Sequence, residues 1–236
     1  MNNIECLIEE LLNMFELKNV CLVYDIGKEE VTYALRNINI TTKSNGILGI
    51  MGPSGSGKSS LLYIMSGLKN PTSGEVIYNG TVMNQLFIDD KANLRREKFG
   101  FVFQRGYLID YLSVLDNILV PVNSSSEKYK AKAMELLEKL GIAKLASKKP
   151  YQLSGGQRQR VVIARALIND PEVVFADEPT AALDHNAAVD VMRVMGEYSR
   201  DKLVVVVTHD TSILSGVDNI QTIWDGRLEN KAGERT

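Results

Sequence analysis

The run Gly52-Pro53-Ser54-Gly55-Ser56-Gly57-Lys58-Ser59 has the residue types and spacing of a loop that holds phosphate, G-x-x-x-x-G-K-[ST]. Glycines let backbone N–H groups turn inward around phosphate oxygens without Cβ clashes. Lys58 supplies a point charge to the β- and γ-phosphates, and the Ser59 hydroxyl is a hard ligand suited to Mg²⁺. The pattern carries this meaning only between a strand and a helix. Residues 47–51 are a short apolar run that reads as a buried strand, and residues 58–68 have helical character, so a helix N-terminus adds its partial positive charge to the loop. A glycine-rich turn that binds nothing is the alternative, and this context disfavours it.

A second acidic site must hold the magnesium shell and activate a nucleophile. Val173-Val174-Phe175-Ala176-Asp177-Glu178 ends an apolar strand in two carboxylates. Asp177 is the expected Mg²⁺ partner, through water, and Glu178 is placed to polarise a water toward the γ-phosphate. Alone, the pair could equally be a charged turn after a core strand; beside a phosphate loop it becomes a strong signal.

The elements that position these groups follow from periodicity. Ile4, Leu7, Ile8, Leu11 and Leu12 form a helical stripe, which sets residues 1–13 apart as an N-terminal extension. Residues 15–24 read as a strand with Val20, Leu22 and Tyr24 on one face, and residues 25–30 as a turn. Residues 34–41 read as a second strand, with Ile38 and Ile40 on one face and Leu35 on the other. Residues 75–78 and 99–103 are further strands; 91–98, 113–119 and 127–140 are helices, the last closed by Gly141 with N-cap candidates at 123–126. From Ser154 the order is helix, strand (173–176), helix (186–199), strand (203–207), an α/β pattern around buried parallel strands. A helical stretch at about 105–160 reads as an insertion in that frame. Trp224 is expected to pack, and Arg95-Arg96 and Lys148-Lys149 to face solvent.

Composition narrows the function classes. With 27 Lys+Arg against 29 Asp+Glu, the net charge of −2 gives no support to a nucleic-acid surface. The 44% hydrophobic and 24% charged content suits a folded globular chain rather than a disordered one. The densest apolar stretch, residues 203–207, is far shorter than a membrane span. Two cysteines, Cys6 and Cys21, make no disulfide framework. No secretory signal opens the sequence, so a cytoplasmic location is expected.

Leu153-Ser154-Gly155-Gly156-Gln157 resembles the signature motif of the ABC (ATP-binding cassette) ATPases, and it stands upstream of Asp177-Glu178 as in that family. Gln104 after Phe103 resembles the Q-loop glutamine, Ala182-Leu183-Asp184 the D-loop, and Thr208-His209-Asp210 the switch histidine after its strand. Tyr24 stands where the family places the aromatic that stacks on adenine. The resemblance covers about residues 14–230, followed by a tail at 231–236. It implies an α/β fold: a P-loop NTPase core of ABC type with an antiparallel β subdomain and an inserted α-helical subdomain. It implies ATP and Mg²⁺ as cofactors. Glu178, His209, Lys58 and Gln104 take the catalytic roles. Tyr24, residues 52–59 with Ser60, Ser154, Gly155, Gly156, Gln157 and Asp184 bind nucleotide, and Ser59, Gln104 and Asp177 attend the metal. His209, one of two histidines, is expected at the γ-phosphate, while His185 is expected at the surface. Ser154 also suits a helix N-cap. Ser60 replaces a frequent Thr and Ala181 a more usual Ser or Gly, and neither change removes a catalytic group.

In this family the signature helix completes the site of a partner subunit. The resemblance therefore implies a head-to-tail dimer, homodimeric or with a similar subunit, with two ATPs at its interface. Residues 94–104, with Leu108 and 116–121, resemble the MacB/LolD/FtsE branch, whose members use ATP-driven closure to move extracytoplasmic parts of a membrane partner; with one cassette and no membrane span in the sequence, a separate membrane subunit, served from the cytoplasmic face of the membrane, is expected. The competing class, a soluble ABC ATPase acting on ribosomes or DNA, carries paired cassettes or long coiled-coil insertions, and the sequence has neither. A groove for the membrane subunit is expected after Gln104, in residues 105–112, with Leu108 and Tyr111 partly exposed among Tyr107, Ile109 and Leu112.

Overall fold

Strands β1 (Asn13–Tyr24) and β2 (Thr32–Lys43) form a long antiparallel pair rich in β-branched and large apolar residues. Each is interrupted at an asparagine in left-handed backbone, Asn19 and Asn37, both with φ 51, a conformation that asparagine tolerates better than most residues. An extra residue in a strand reverses the alternation beyond it. Phe15 and Leu17 are buried before the interruption in β1, and Val20 and Leu22 after it. In β2 the same device brings Leu35 into the core with Ile38 and Ile40, not onto the opposite face as strict alternation predicts. The register confirms it: Leu17 opposes Ile40, Val20 opposes Ile38 and Leu22 opposes Leu35. Polar contacts hold the irregularities: Asn19 N–H donates to Asn39 Oδ1 at 2.9 Å and Asn37 N–H to Cys21 Sγ at 3.2 Å.

The computed structural model describes residues 13–24, 31–104, 106–122, 126–181, 183–217 and 219–229. The helix expected over residues 1–13 lies outside these, except Asn13 in β1, as do the turn at 25–30, Cys6 and the tail. The described residues form two compact units, one of those up to Asn93 and from Val207 onward, the other of Leu94–Val206.

In the first unit the antiparallel sheet has the order β2-β1-β4-β5, with β4 at Ser73–Tyr78 and β5 at Thr81–Val82. Strand β3 (Gly46–Met51) pairs parallel with β9 (Asn219–Trp224), which turns into antiparallel β10 (Arg227–Glu229). The phosphate loop joins β3 to α1 (Lys58–Met65). That helix stops short of the expected residue 68, because Ser66 and Gly67 (φ 65) close it with N–H bonds back to Leu62 and Ile64. Helix α2 (Ile88–Lys98) follows, acidic in its first turn and basic in its last. Trp224, expected to pack, is 46% exposed at the end of β9. It follows Ile223, which is fully buried, and alternation turns the next side chain outward.

In the second unit β6 (Phe99–Val102), β7 (Val173–Asp177) and β8 (Leu203–Val207) lie in the order β8-β7-β6, with β6 and β7 parallel. Every residue of β7 and β8 is buried, and all but the terminal Asp177 are apolar, as in strands covered on both faces. Helices α3 (Val114–Leu119), α4 (Glu127–Lys139) and α5 (Gly155–Leu167) pack on one another. Helix α6 (His185–Tyr198) buries Ala187, Val191, Val194 and Met195, a single stripe. No helix among the described residues is long and apolar enough to cross a membrane.

Candidate functional site

In the first unit the phosphate loop is folded as its glycines require. Gly52 has φ 147, and a Cβ there would lie 2.1 Å from the Ile223 carbonyl oxygen. Gly57, the N-cap of α1, has φ 107, and its Cβ would come 2.3 Å from the Ala34 oxygen. No other residue fits either position. Ser56 N–H donates to the Pro53 carbonyl at 3.2 Å, closing the turn, and no side chain caps the helix. The Ser56 hydroxyl is buried with no hydrogen-bond partner among the described residues. Lys58, only 7% exposed, turns its ammonium back on the Gly52 and Pro53 carbonyls at 2.8 and 2.9 Å. The β9–β10 turn roofs the loop: Gly226 N–H donates to the Ser56 carbonyl at 3.0 Å, and the Gly226 carbonyl accepts from Arg36 N–H at 2.7 Å.

Tyr24, at the end of β1, is half-buried, and the Lys69 ammonium sits 3.6 Å from its ring centroid. Burial raises the phenol pKa, but hydrogen bonding to Lys69 and Ser60 outweighs it, so the net shift is downward. This also brings Tyr24 beside Ser60 in the first turn of α1. His209 is exposed after β8. Its neighbours fix its backbone: Thr208 N–H donates to the Ile50 carbonyl of β3 at 3.1 Å, and Asp210 accepts from Ser212 N–H at 2.9 Å.

In the second unit Asp177 ends β7 at 6% exposure, and Glu178 follows with φ 51, an unfavourable conformation for a glutamate. Such strain concentrates at functional positions. Gln104 is exposed beyond β6. Ser154 caps α5: its hydroxyl accepts from Gln157 N–H at 3.2 Å, and Gln157 Oε1 accepts from Ser154 N–H at 3.0 Å, a complete capping box. Asp184 caps α6, accepting from Ala187 N–H at 3.0 Å. Ser154, Gly156, Gln157 and Asp184 line one cavity of about 670 Å³, together with Lys144 and Arg160. The structure thus gathers the signature and D-loop candidates around one space. It places Tyr24, the phosphate loop and His209 in the first unit, and Gln104, Asp177 and Glu178 in the second. Ala182 and Arg105 lie outside the described residues.

The segment after Gln104 presents Tyr107 and Tyr111 to solvent, 69% and 76% exposed, with Leu108 half-buried, so the expected partial exposure of Leu108 and Tyr111 holds. Three residues escaped the sequence reading: Lys69 over Tyr24, Asn117 and Arg165. Asn117 is fully buried in α3 and bonds the backbone of Ile109, Leu112 and Ser113. Arg165 interrupts the apolar run Val161–Leu167, and a cation on a buried stripe is the one signal that could have flagged it.

Residues 35–181 match the ABC transporter family. The chain is 42% identical over 227 residues to the uncharacterized ABC transporter ATP-binding protein MJ0796 of Methanocaldococcus jannaschii, covering 92% of this chain and 96% of that protein. It is 38% identical to the lipoprotein-releasing system ATP-binding protein LolD of Wigglesworthia glossinidia brevipalpis, covering 97% of it. It is 43% identical to the macrolide export ATP-binding/permease protein MacB of Rhodopseudomonas palustris, of which it covers 33%. A dimeric structure of the MJ0796 cassette in a post-hydrolysis state, bound to ADP and Pi, superimposes with a TM-score of 0.85 over 92% of this chain. A match of this extent, with a phosphate loop shaped as its glycines demand, has one reading: the chain belongs to the ABC transporter family and is an ATP-binding cassette, an ABC ATPase of the LolD/MacB branch.

Proposed function

We propose that this cassette drives a separate membrane subunit from the cytoplasmic face of the membrane, through ATP-dependent closure of a head-to-tail homodimer. The observation that carries the reading is a pair of glycine- and serine-bearing helix N-termini, one in each unit: the phosphate loop, and the signature end on its solvent-facing cavity. Each suits an anion. A chain with two such ends can give one to its own nucleotide and one to its partner's. Dimeric structures of the MJ0796 cassette, one of them bound to ADP and Pi, support the dimeric part of this reading.

The buried, unpartnered Ser56 hydroxyl and the Gly52 and Gly57 cradle fit a polyphosphate. Lys58 exchanges its two carbonyl partners for phosphate oxygens, and Tyr24 stacks on the base. Ser59, Gln104 and Asp177 are all-oxygen donors, the hard set that Mg²⁺ prefers. A bound Mg²⁺ would neutralise charge on the β- and γ-phosphates. Glu178 orients and deprotonates the attacking water, and His209 contacts the γ-phosphate. Tyr107, Leu108 and Tyr111 offer the apolar docking surface for the membrane subunit.

The test is Glu178→Gln. General-base help is worth about 10²–10⁴ in rate, so the variant retains ATP binding, nearly loses turnover and accumulates as an ATP-bound dimer. Near-normal steady-state hydrolysis, or no nucleotide-dependent dimer, overturns the reading.

A further inference from the structure

Arg165 lies near the C-terminal end of α5, between Ala164 and Ala166, on a helix whose Val161, Val162, Ile163 and Ala164 are fully buried. Its guanidinium meets no carboxylate within ion-pair distance among the described residues, and burial lowers its pKa. It donates instead to two successive carbonyls: Nη2 to Gly106 at 2.6 Å and Nη1 to Tyr107 at 2.9 Å. A half-buried cation set against carbonyls alone is a costly way to stabilise a helix. It is an effective way to fix two peptide groups, since a guanidinium presents its donors in a rigid fork.

The segment so held is under independent constraint. A Cβ on Gly106 would lie 2.6 Å from Val162 Cγ2, so the chain runs flush against α5. Tyr107 has φ 45, strained for an aromatic residue, yet its side chain is 69% exposed and supplies little packing to compensate. Its ring closes a series of aromatic contacts from the sheet: Phe175 to Phe101 at 5.8 Å, Phe101 to Phe103 at 5.5 Å and Phe103 to Tyr107 at 6.1 Å. Beyond it, Asn117 takes over with its bonds to Ile109, Leu112 and Ser113.

We infer that Arg165 is a positioning residue that fastens the segment after Gln104 to the helix that begins at Ser154. Displacement of α5 is then carried to Gln104 on one side and to the Tyr107–Tyr111 surface on the other. The inference rests on the reading above, in which Gln104 serves the γ-phosphate and Ser154 the partner's nucleotide.

The experiment uses the full chain and three variants: Arg165→Lys, Gly106→Ala and Gln104→Ala. Lysine keeps the charge but not the fork; the alanine methyl presses on Val162, one turn before Arg165 on the same face of the helix, and lifts the segment there. For each, kcat and KM for MgATP are measured, with hydrogen–deuterium exchange over residues 106–113. Arg165→Lys and Gly106→Ala should each lower kcat about tenfold with KM within about twofold, the signature of lost transition-state alignment. Exchange should rise in 106–113 and stay constant in β7 and β8. Should Arg165→Lys fail to fold, Gly106→Ala carries the test alone with the same signature. Wild-type kcat in the folded variants overturns the inference, even if exchange rises, because the fastening would then be structural only. If Gln104→Ala itself keeps wild-type kcat, the reading of Gln104 is what fails, and the inference falls with it.

Discussion

The two phosphate-type helix ends are built from the same residue types and left in opposite states. At α1 the N-cap is a glycine with no side chain to give, the loop before it is roofed by backbone, and the Ser56 hydroxyl is buried with no partner among the described residues. At α5 the cap is Ser154, and a reciprocal box with Gln157 already uses its hydroxyl and its N–H. The first end carries an unmet need for hydrogen-bonding oxygen, so it is organised for its ligand in advance. The second is content alone, and must exchange bonds to take one. An affinity difference follows: nucleotide should bind first and tightly at the open end, and reach the self-capped end only when a second surface delivers it.

Gly57→Ala attacks the open end and should have the largest effect. The new methyl would press on the Ala34 carbonyl in a left-handed backbone, which predicts about 2–4 kcal/mol of destabilisation and loss of measurable ATP binding by calorimetry. Wild-type affinity in this variant would break the comparison outright. Tyr24→Ala should follow, since base stacking is worth about 1–3 kcal/mol. Titration of ATP against inorganic tripolyphosphate sharpens the point, because only the former should weaken. Ser154→Ala, at the self-capped end, should cost about 1 kcal/mol as a lost cap, visible as a lower Tm. ATP affinity of the isolated chain should be unchanged, while the dimer trapped in the Glu178→Gln background disappears. A weaker monomer affinity would show that the two ends are not independent. The smallest effect is expected for Gln157→Ala, which removes one exposed bond of the box at about 0.5 kcal/mol. It frees the Ser154 amide, so dimerisation should persist at similar ATP concentration.

The order of elements from residue 15 to 207, the two-residue β5 apart, and the positions of the phosphate loop, Asp177, Glu178 and Ser154 are legible in the sequence, because each depends on local pattern. Glycine spacing, an apolar run ending in acids and a serine before a helix are short-range signals. What escaped depends on backbone irregularity or distant partners. Leu35 leaves the face that strict alternation predicts because Asn37 turns left-handed, an irregularity across from Cys21 that offsets the one at Asn19 and that residues 34–41 alone do not announce. Lys69 meets Tyr24 from 45 residues downstream in the chain, and Arg165 meets Gly106 from 59 residues away, so neither pairing leaves a local trace. Trp224 departs from the expected packing because its place after buried Ile223 decides its direction.

The roof over the phosphate loop has a consequence for biosynthesis. Residues 52–59 are translated well before Gly226, whose amide closes over Ser56, and the same turn braces Arg36. A ribosome-bound fragment that ends anywhere short of that turn holds every residue of the loop and lacks its cover. If the loop takes nucleotide as proposed, capture is expected only once that turn is made, and a fluorescent ATP analogue added to stalled translation complexes should report when β9 and β10 have emerged.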